Sequence, residues 1–317
     1  MNEFMQKLVH MKSGSDYDVA VMYSGGKDSA YLLYLLKEIY HMRVIAVMVD
    51  NGFEHDYTWV PMQNFTKLLG IPLVIIHPDK EMFALLFRTL IVEHEKFQRE
   101  GVNHVCFICN SILWCCVAQF AKENNIPYVA SGLSLAQLNS GRSKPLHTND
   151  LANSIAERSA RMIYKNALDG IKQTKAYSEN VLFRDFFNGF GESIKSVTTI
   201  YPYIYHAVSV QAQKQCLEKL NWQPPSLVNR EEYISSGCRI MRGVVYELEK
   251  IGIITLNERE QAKSMMERGL MDNKQKEFAE KDVSKELVHL DTKEIEELQV
   301  ADYLEKLCKE LGKIYKR

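Results

Sequence analysis

The stretch Val19–Leu36, VAVMYSGGKDSAYLLYLL, constrains the fold more than any other part of the chain. It starts as an apolar, β-rich run, breaks at two adjacent glycines and resumes with leucines at helical spacing. The pattern then recurs. Asp18–Tyr23, Arg43–Val49, Pro72–His77 and Tyr128–Ser131 read as buried strands. Asp28–Tyr40, Tyr57–Leu69, Lys80–Glu100 and Ser111–Asn124 read as the helices between them. Strands that alternate with helices through short connections predict an α/β fold, a doubly wound parallel sheet with helices on both faces. Ligands of such sheets sit beyond the carboxyl ends of the strands. Tyr23–Ser29, Asp50–Phe53 and Ser131–Gln137 all fall at that edge.

After Arg142 the pattern changes. Asp150–Gly170, Ser178–Phe190 and Gln211–Leu220 read as helices, and Thr198–Tyr205 as a strand or extended segment. From Glu231 the chain is helical and increasingly charged. The expected organisation is an α/β domain over 1–145 and a mainly helical substrate or partner region over 146–317. With 46% hydrophobic and 25% charged residues, the 317-residue chain has a soluble globular composition. A net charge of −1 excludes the global basic field of a nonspecific nucleic-acid binder. Met1–Tyr17 has no apolar leader, and no run approaches the roughly 20 apolar residues of a spanning helix. The expectation is a cytoplasmic protein with no membrane partner. In that setting seven cysteines favour reduced thiols or a metal site over disulfides.

Ser24–Ser29, SGGKDS, has the chemistry of a phosphate cradle. Two glycines let successive N–H groups face one point, and the following helix aims its positive end there. Lys27 adds a cation, and Ser24 and Ser29 add hydroxyls. Neither the Walker A pattern nor G-x-G-x-x-G is present in the segment. The loop resembles the PP-loop of the ATP pyrophosphatases, the adenine nucleotide alpha hydrolase superfamily, and the likeness extends more loosely over residues 18–137. The resemblance implies a HUP-type PP-loop domain that cleaves ATP between its α- and β-phosphates and places AMP on a carbonyl-type oxygen. It implies ATP and Mg²⁺ at Ser24, Gly25, Gly26, Lys27, Asp28 and Ser29, with Tyr23 at the strand end. Lys27 would stabilise charge on the leaving pyrophosphate, and Asp28 would hold Mg²⁺ or cap the helix. Val47, Met48, Val49 and Asp50 match the family's adenine-recognition edge. Gly132 matches the glycine where the chain passes close to the nucleotide. Ser134 and Gln137 stand where many relatives are acidic, which leaves the second Mg²⁺ carboxylate without a match.

Cys106 and Cys109 form C-F-I-C. Such a pair can lower a thiol pKa, bind metal or do redox work. Cys115 and Cys116 lie inside an apolar run and read as packing. PP-loop enzymes that thiolate tRNA carry a C-x-x-C at this place, many holding a [4Fe-4S] cluster through a third cysteine. By resemblance to the sugar-amidotransferase branch, NWQPP, SSGC and MERGLM point to Cys238 as the third ligand of a cluster or zinc. His206, in YPYIYH, and Cys216 are the alternatives. With the helix starting at Ser111, Cys109 lies nearer its N-terminus and is the expected reactive thiol, with Cys106, Lys27 and Asp28 as the other catalytic residues. Without a cluster, the same pair supports persulfide transfer. Arg142, Arg158, Arg161 and Lys165 read as solvated, and Phe183, Phe186, Phe187 and Phe190 as core or an oligomer interface.

The combined reading is an ATP-dependent sulfurtransferase that adenylates a carbonyl or amide oxygen and replaces it with sulfur. The acceptor is a small molecule or a nucleobase, with tRNA less favoured, and the sulfur donor is a cysteine desulfurase. A homo-oligomer is expected. The rivals are an amidotransferase fed with ammonia by a partner and a nucleotide-binding sensor.

Overall fold

Five parallel strands run through the centre of the computed structural model: Val19–Met22 (β1), Val44–Val49 (β2), Leu73–Ile76 (β3), Tyr128–Ala130 (β4) and Thr198–Ile200 (β5). Their order is β3-β2-β1-β4-β5. The structure describes residues 6, 14–97, 103–139, 146–149, 151–188, 193–206, 208–223, 237–256, 259, 277 and 280–317. The readings at Arg142, Phe190, Pro224, Pro225, Ser235, Ser236 and MERGLM lie outside them.

The strand pattern sends alternate residues to opposite faces. Ala20, Ile45, Val47 and Val49 enter one core. Val19, Val21, Val44, Ala46 and Met48 enter the other. Helices α1 (Lys27–Tyr34) and α2 (Trp59–Leu68) cover the second face. Helices α3 (Lys80–Val92) and α4 (His104–Glu123) cover the first. This is the doubly wound α/β arrangement that the alternation predicts. The connections leave β1 and β4 in opposite directions, so the switch point lies between these two neighbours.

Helix α4 begins at His104 rather than Ser111 because Asn103 caps it, accepting from Cys106 N at 3.1 Å. It is long and apolar enough to cross a membrane, contrary to the expectation, but 67% of that stretch is buried inside the fold. Val105, Ile108, Ile112 and Val117 pack against the sheet, and each such side chain contributes about 1.5–3 kcal/mol on burial. Trp114 anchors the far strand, its Nε1 donating to Thr199 Oγ1 of β5 at 3.0 Å.

The long helix expected over Lys80–Glu100 ends at Val92 and is followed by a 3₁₀ turn, His94–Lys96. The expected Ser178–Phe190 helix is two pieces, Lys175–Glu179 and Val181–Asn188. Thr198–Tyr205 resolves into β5 and a 3₁₀ turn at Pro202–Ile204. The sheet thus draws on both sides of the expected boundary near 145. Further on, Val288–His289 (β6) pairs in parallel with Tyr315–Lys316 (β7). Leu290, Ile295, Leu304 and Cys308 of this mainly helical C-terminal region join the same core as Val47 and Phe83.

Candidate active site

Tyr23 closes β1 by donating its backbone N–H to Val47 O at 2.9 Å. The chain then turns at Gly25, whose φ is +75°. A Cβ at Gly25 would lie 2.6 Å from Met62 Cγ, so both the backbone and the space require glycine. Gly26 is the N-cap of α1 and no side chain caps the helix. Among the described residues its first amides thus have no side-chain cap, as an anion site requires. Ser29 braces the turn from within: its Oγ accepts from Ser24 N at 3.3 Å and donates to Gly26 O at 3.0 Å. Lys27 Nζ pairs with Asp28 Oδ1 at 2.7 Å. Asp28 sits in the first turn of α1 rather than capping it.

The other sequence-predicted nucleotide contacts gather around this loop. β1 ends at Met22, opposite Val47, while β2 continues to Val49. Met48 and Val49 thus overrun β1 at the carboxyl edge. Gly132 follows β4 and passes the first turn of α1, where a Cβ would lie 3.4 Å from Ser29 N. Ser134 and Gln137 form a capping box: Ser134 N donates to Gln137 Oε1 at 2.7 Å, and Gln137 N to Ser134 Oγ at 3.2 Å. Their departure from the acidic pattern thus has a local structural use.

Beyond β2, Asp50 Oδ1 accepts from Gly52 N at 2.8 Å, and Asp50 Oδ2 lies 3.3 Å from His77 Nδ1. Asn51 reaches across to α4, its Nδ2 donating to Cys109 Sγ at 3.6 Å. Residues 237–239 run antiparallel to residues 53–55. His55 N donates to Gly237 O at 2.9 Å, Arg239 N donates to Phe53 O at 2.8 Å, and Glu54 bridges Cys238. Arg239 ties this pairing to the C-terminal region through Glu294 Oε1 at 2.7 Å and Glu297 Oε2 at 3.2 Å.

Thr58 lies next to both Gly237, the residue before Cys238, and Gly25 of the phosphate loop. A Cβ at Gly237 would lie 2.5 Å from Thr58 Oγ1 and 2.7 Å from Glu54 Oε2, while one at Gly25 would lie 3.8 Å from Thr58 Cγ2. Thr58 is fully buried and its hydroxyl has no hydrogen-bond partner among the described residues. Sequence reasoning missed Glu54 and Thr58, although DNGFEHDYT directly follows the carboxyl end of β2.

The thiols sit in low-dielectric surroundings. Burial pushes Cys109 up to about 12, with Glu54 and Cys116 adding to it and Asn51 opposing. Cys238 is raised too, first by burial and then by Glu54 and Cys109. Burial also lifts Glu54 to about 7, helped by Asp50 and opposed by Arg239. Cys109 and Cys238 therefore lie within electrostatic reach of one another and share Glu54 as a neighbour. Cys106 lies one turn earlier on α4 and is half-buried.

Three expectations change. Because α4 starts at His104, Cys106 and not Cys109 lies in its first turn, and Cys109 is the buried member. His206 packs on the opposite face of the sheet, 3.5 Å from Tyr40 Oη, where Tyr31 also lies. Cys216 is on that same face, bonded to Tyr34. Neither reaches the C-F-I-C pair. Among the described residues no three His, Cys, Asp or Glu side chains are grouped as a single ion requires, so a zinc site at Cys106, Cys109 and Cys238 does not fit this arrangement. Cys106, Cys109 and Cys238 are all sulfur donors, the donor type that an iron–sulfur centre takes. Cys115 and Cys116 pack in the core, as expected.

No family model matches the chain. Over 124 residues, 39% of this chain and 41% of the relative, it is 29% identical to an uncharacterized protein of Methanocaldococcus jannaschii. Over 97 residues, 30% of this chain and 28% of the relative, it is 31% identical to the tRNA-specific 2-thiouridylase MnmA of Helicobacter acinonychis. The match spans less than half the length of either relative. Among solved structures, the U34-tRNA thiolase NcsA from Methanococcus maripaludis, with its [4Fe-4S] cluster, superposes with a TM-score of 0.42 at 17% identity, over 87% of this chain and 76% of that one. The NH3-dependent NAD synthetase from Campylobacter jejuni gives 0.37 at 13% identity, over 100% and 99% of the two chains. Superpositions this loose carry no inference about reaction or ligand. The loop between β1 and α1, its place at the switch point and the 97-residue match make this part of the chain similar to the PP-loop ATP pyrophosphatases, the adenine nucleotide alpha hydrolases.

Proposed function

We propose that the protein is an ATP-dependent sulfurtransferase that adenylates a carbonyl or amide oxygen and replaces it with sulfur. The observation that carries this reading is the placement of Cys109 and Cys238 beside the phosphate loop, joined to it through Glu54, Gly237 and Thr58. An enzyme that only bound or cleaved ATP has no need of thiols there.

In this reading Ser24–Ser29 takes the pyrophosphate end of ATP. Lys27 exchanges its Asp28 partner for phosphate oxygens, which leaves the Asp28 carboxylate for Mg²⁺. Adenine lies along Val47–Asp50 and the chain passes it at Gly132. The acceptor's oxygen attacks the α-phosphorus, the bond to the β-phosphate oxygen breaks, and pyrophosphate leaves against the Lys27 charge. Sulfur then adds to the adenylated carbon and AMP departs with the oxygen, giving a thiocarbonyl. A [4Fe-4S] cluster held by Cys106, Cys109 and Cys238 would supply an iron that carries the extra sulfur. On the persulfide route, Cys106 bears a terminal sulfur delivered by a cysteine desulfurase. That sulfur bonds to the adenylated carbon as AMP leaves. The Cys109 thiolate then attacks the Cys106 sulfur, freeing the thiocarbonyl and leaving a disulfide for cellular thiols to reduce. We assign the reaction to the cytoplasm and the acceptor contacts to residues 146–317. A nucleobase stands beside a small molecule as acceptor, because one curated relative is named as a tRNA thiouridylase.

The test is anaerobic incubation with Mg·ATP, candidate acceptors and either sulfide or a cysteine desulfurase with cysteine, with AMP, pyrophosphate and thiocarbonyl product quantified by mass spectrometry. Sulfur incorporation that disappears in Cys106→Ala and Cys109→Ala supports the reading. Undiminished turnover of both variants with ammonia would identify an amidotransferase instead. Nucleotide binding with no pyrophosphate released for any acceptor would identify a sensor. Iron content and the visible spectrum of fresh protein decide between cluster and persulfide.

A further inference from the structure

Two aromatic side chains outside the first 145 residues touch the phosphate loop from behind. Trp222 Nε1 donates to Gly25 O at 3.3 Å, and Tyr203 Oη donates to Asp28 O at 2.6 Å. Neither contact follows from the nucleotide chemistry assigned above. Both residues come from the segments NWQPP and YPYIYH, which the sequence reading used only to look for a third cysteine ligand.

A peptide unit is planar and trans, so its N–H points opposite its C=O. Fixing the Gly25 carbonyl therefore fixes the direction of the Gly26 N–H, and fixing the Asp28 carbonyl fixes that of the Ser29 N–H. These two amides belong to the uncapped start of α1. The indole has a donor and no acceptor, so its hydrogen bond has one polarity. Tyr203 is buried, stacks on Tyr31 of α1 at 6.3 Å, and is held well above the ordinary phenol range, first by burial and then by Asp28 and Tyr31. It thus stays a donor at physiological pH. On the loop's other side, Met62 and Thr58 close the space behind Gly25.

We propose that Tyr203 and Trp222 are positioning residues for the phosphate loop: they hold the carbonyls of Gly25 and Asp28 so that the Gly26 and Ser29 amides stay turned toward pyrophosphate. The PP-loop is then incomplete without residues 203 and 222. This rests on the reading of Ser24–Ser29 as a pyrophosphate site.

The test uses the full chain with Tyr203→Phe and Trp222→Phe, which keep a ring and remove one donor each. Inorganic pyrophosphate and adenosine, each with Mg²⁺, are titrated calorimetrically as separate probes. Each variant is expected to weaken pyrophosphate binding about three- to tenfold, the range of one hydrogen bond, and to leave adenosine binding unchanged. Wild-type pyrophosphate affinity in both folded variants overturns the positioning role, and so does an equal loss for adenosine, which marks a general structural defect. Should one variant fail to fold, the other carries the test with the same outcomes. A wild-type chain that binds no pyrophosphate removes the pyrophosphate reading itself, a result distinct from equal binding by wild type and variants.

Discussion

The phosphate loop and the thiol rim lie on one sheet edge and are built in opposite ways. The loop is a single run, Ser24–Ser29, between one strand and one helix. Its brace, Ser29 to Ser24 and Gly26, is internal. The thiol rim combines Cys106 and Cys109 from α4 with Cys238, which docks beside Glu54 through backbone pairing. That docking depends on Arg239 and the acidic pair Glu294 and Glu297, still further along the chain. A site made from one segment fails when its own residues change. A site assembled from several fails when the contacts that dock them change, even where no thiol is touched.

The largest effect that can break this contrast is expected at Gly25→Ala. A Cβ would meet Met62 at 2.6 Å on a backbone at φ +75°. Left-handed strain and overpacking together cost about 2–4 kcal/mol, read by chemical denaturation, and pyrophosphate affinity should fall by at least about 100-fold. An alanine variant that binds normally would show that the loop does not depend on this conformation. Next comes Lys27→Ala. AMP formation should drop by about 10²–10³-fold, the usual loss for a charge-stabilising group, while unfolding stability moves by less than about 0.5 kcal/mol.

Arg239→Met sharpens the other half of the comparison. It leaves Glu294 and part of Glu297 without the guanidinium and loosens the 237–239 pairing. Stability should fall by about 1–3 kcal/mol. Sulfur incorporation should fall more than pyrophosphate affinity, which calorimetry reads separately; equal losses would mean that the two sites are not independent. The smallest change is kinetic. At a pKa of about 12, the thiolate fraction of Cys109 at pH 8 is on the order of one in ten thousand, so iodoacetamide should label Cys106 well before Cys109 in peptide mass spectra. Because the Cys109 pKa is raised, its labelling should accelerate as pH climbs rather than falls. Faster labelling of Cys109 at pH 8 would restore it as the reactive thiol.

Much of the fold was legible because it is written in local periodicity. β2 is apolar at every position and is buried at every position. The two glycines between β1 and α1 mark a turn that only a positive φ can make. The start of α4 was misread because its first two turns, HVCFICN, look like a loop motif, and the Asn103 cap carries the boundary. Thr58 was not singled out and Trp222 was read only within NWQPP as a pointer to Cys238, since nothing in a threonine or tryptophan marks it as a neighbour of a loop remote in sequence.

The candidate ligands show where reading along the chain stops. His206, Cys216 and Cys238 were three similar options in sequence. The sheet separates them: His206 and Cys216 go to the face of α1, and Cys238 to the face of α4 beside Cys109. By itself the sequence determined the strand and helix pattern, the glycine turn and the cation beside it, because these depend on residues a few positions apart. Only the tertiary structure decided which thiols share a face, which of them is buried and which aromatics back the phosphate loop. Hydrophobic spacing dictates that a residue is buried, but its neighbours there are set by how distant segments pack.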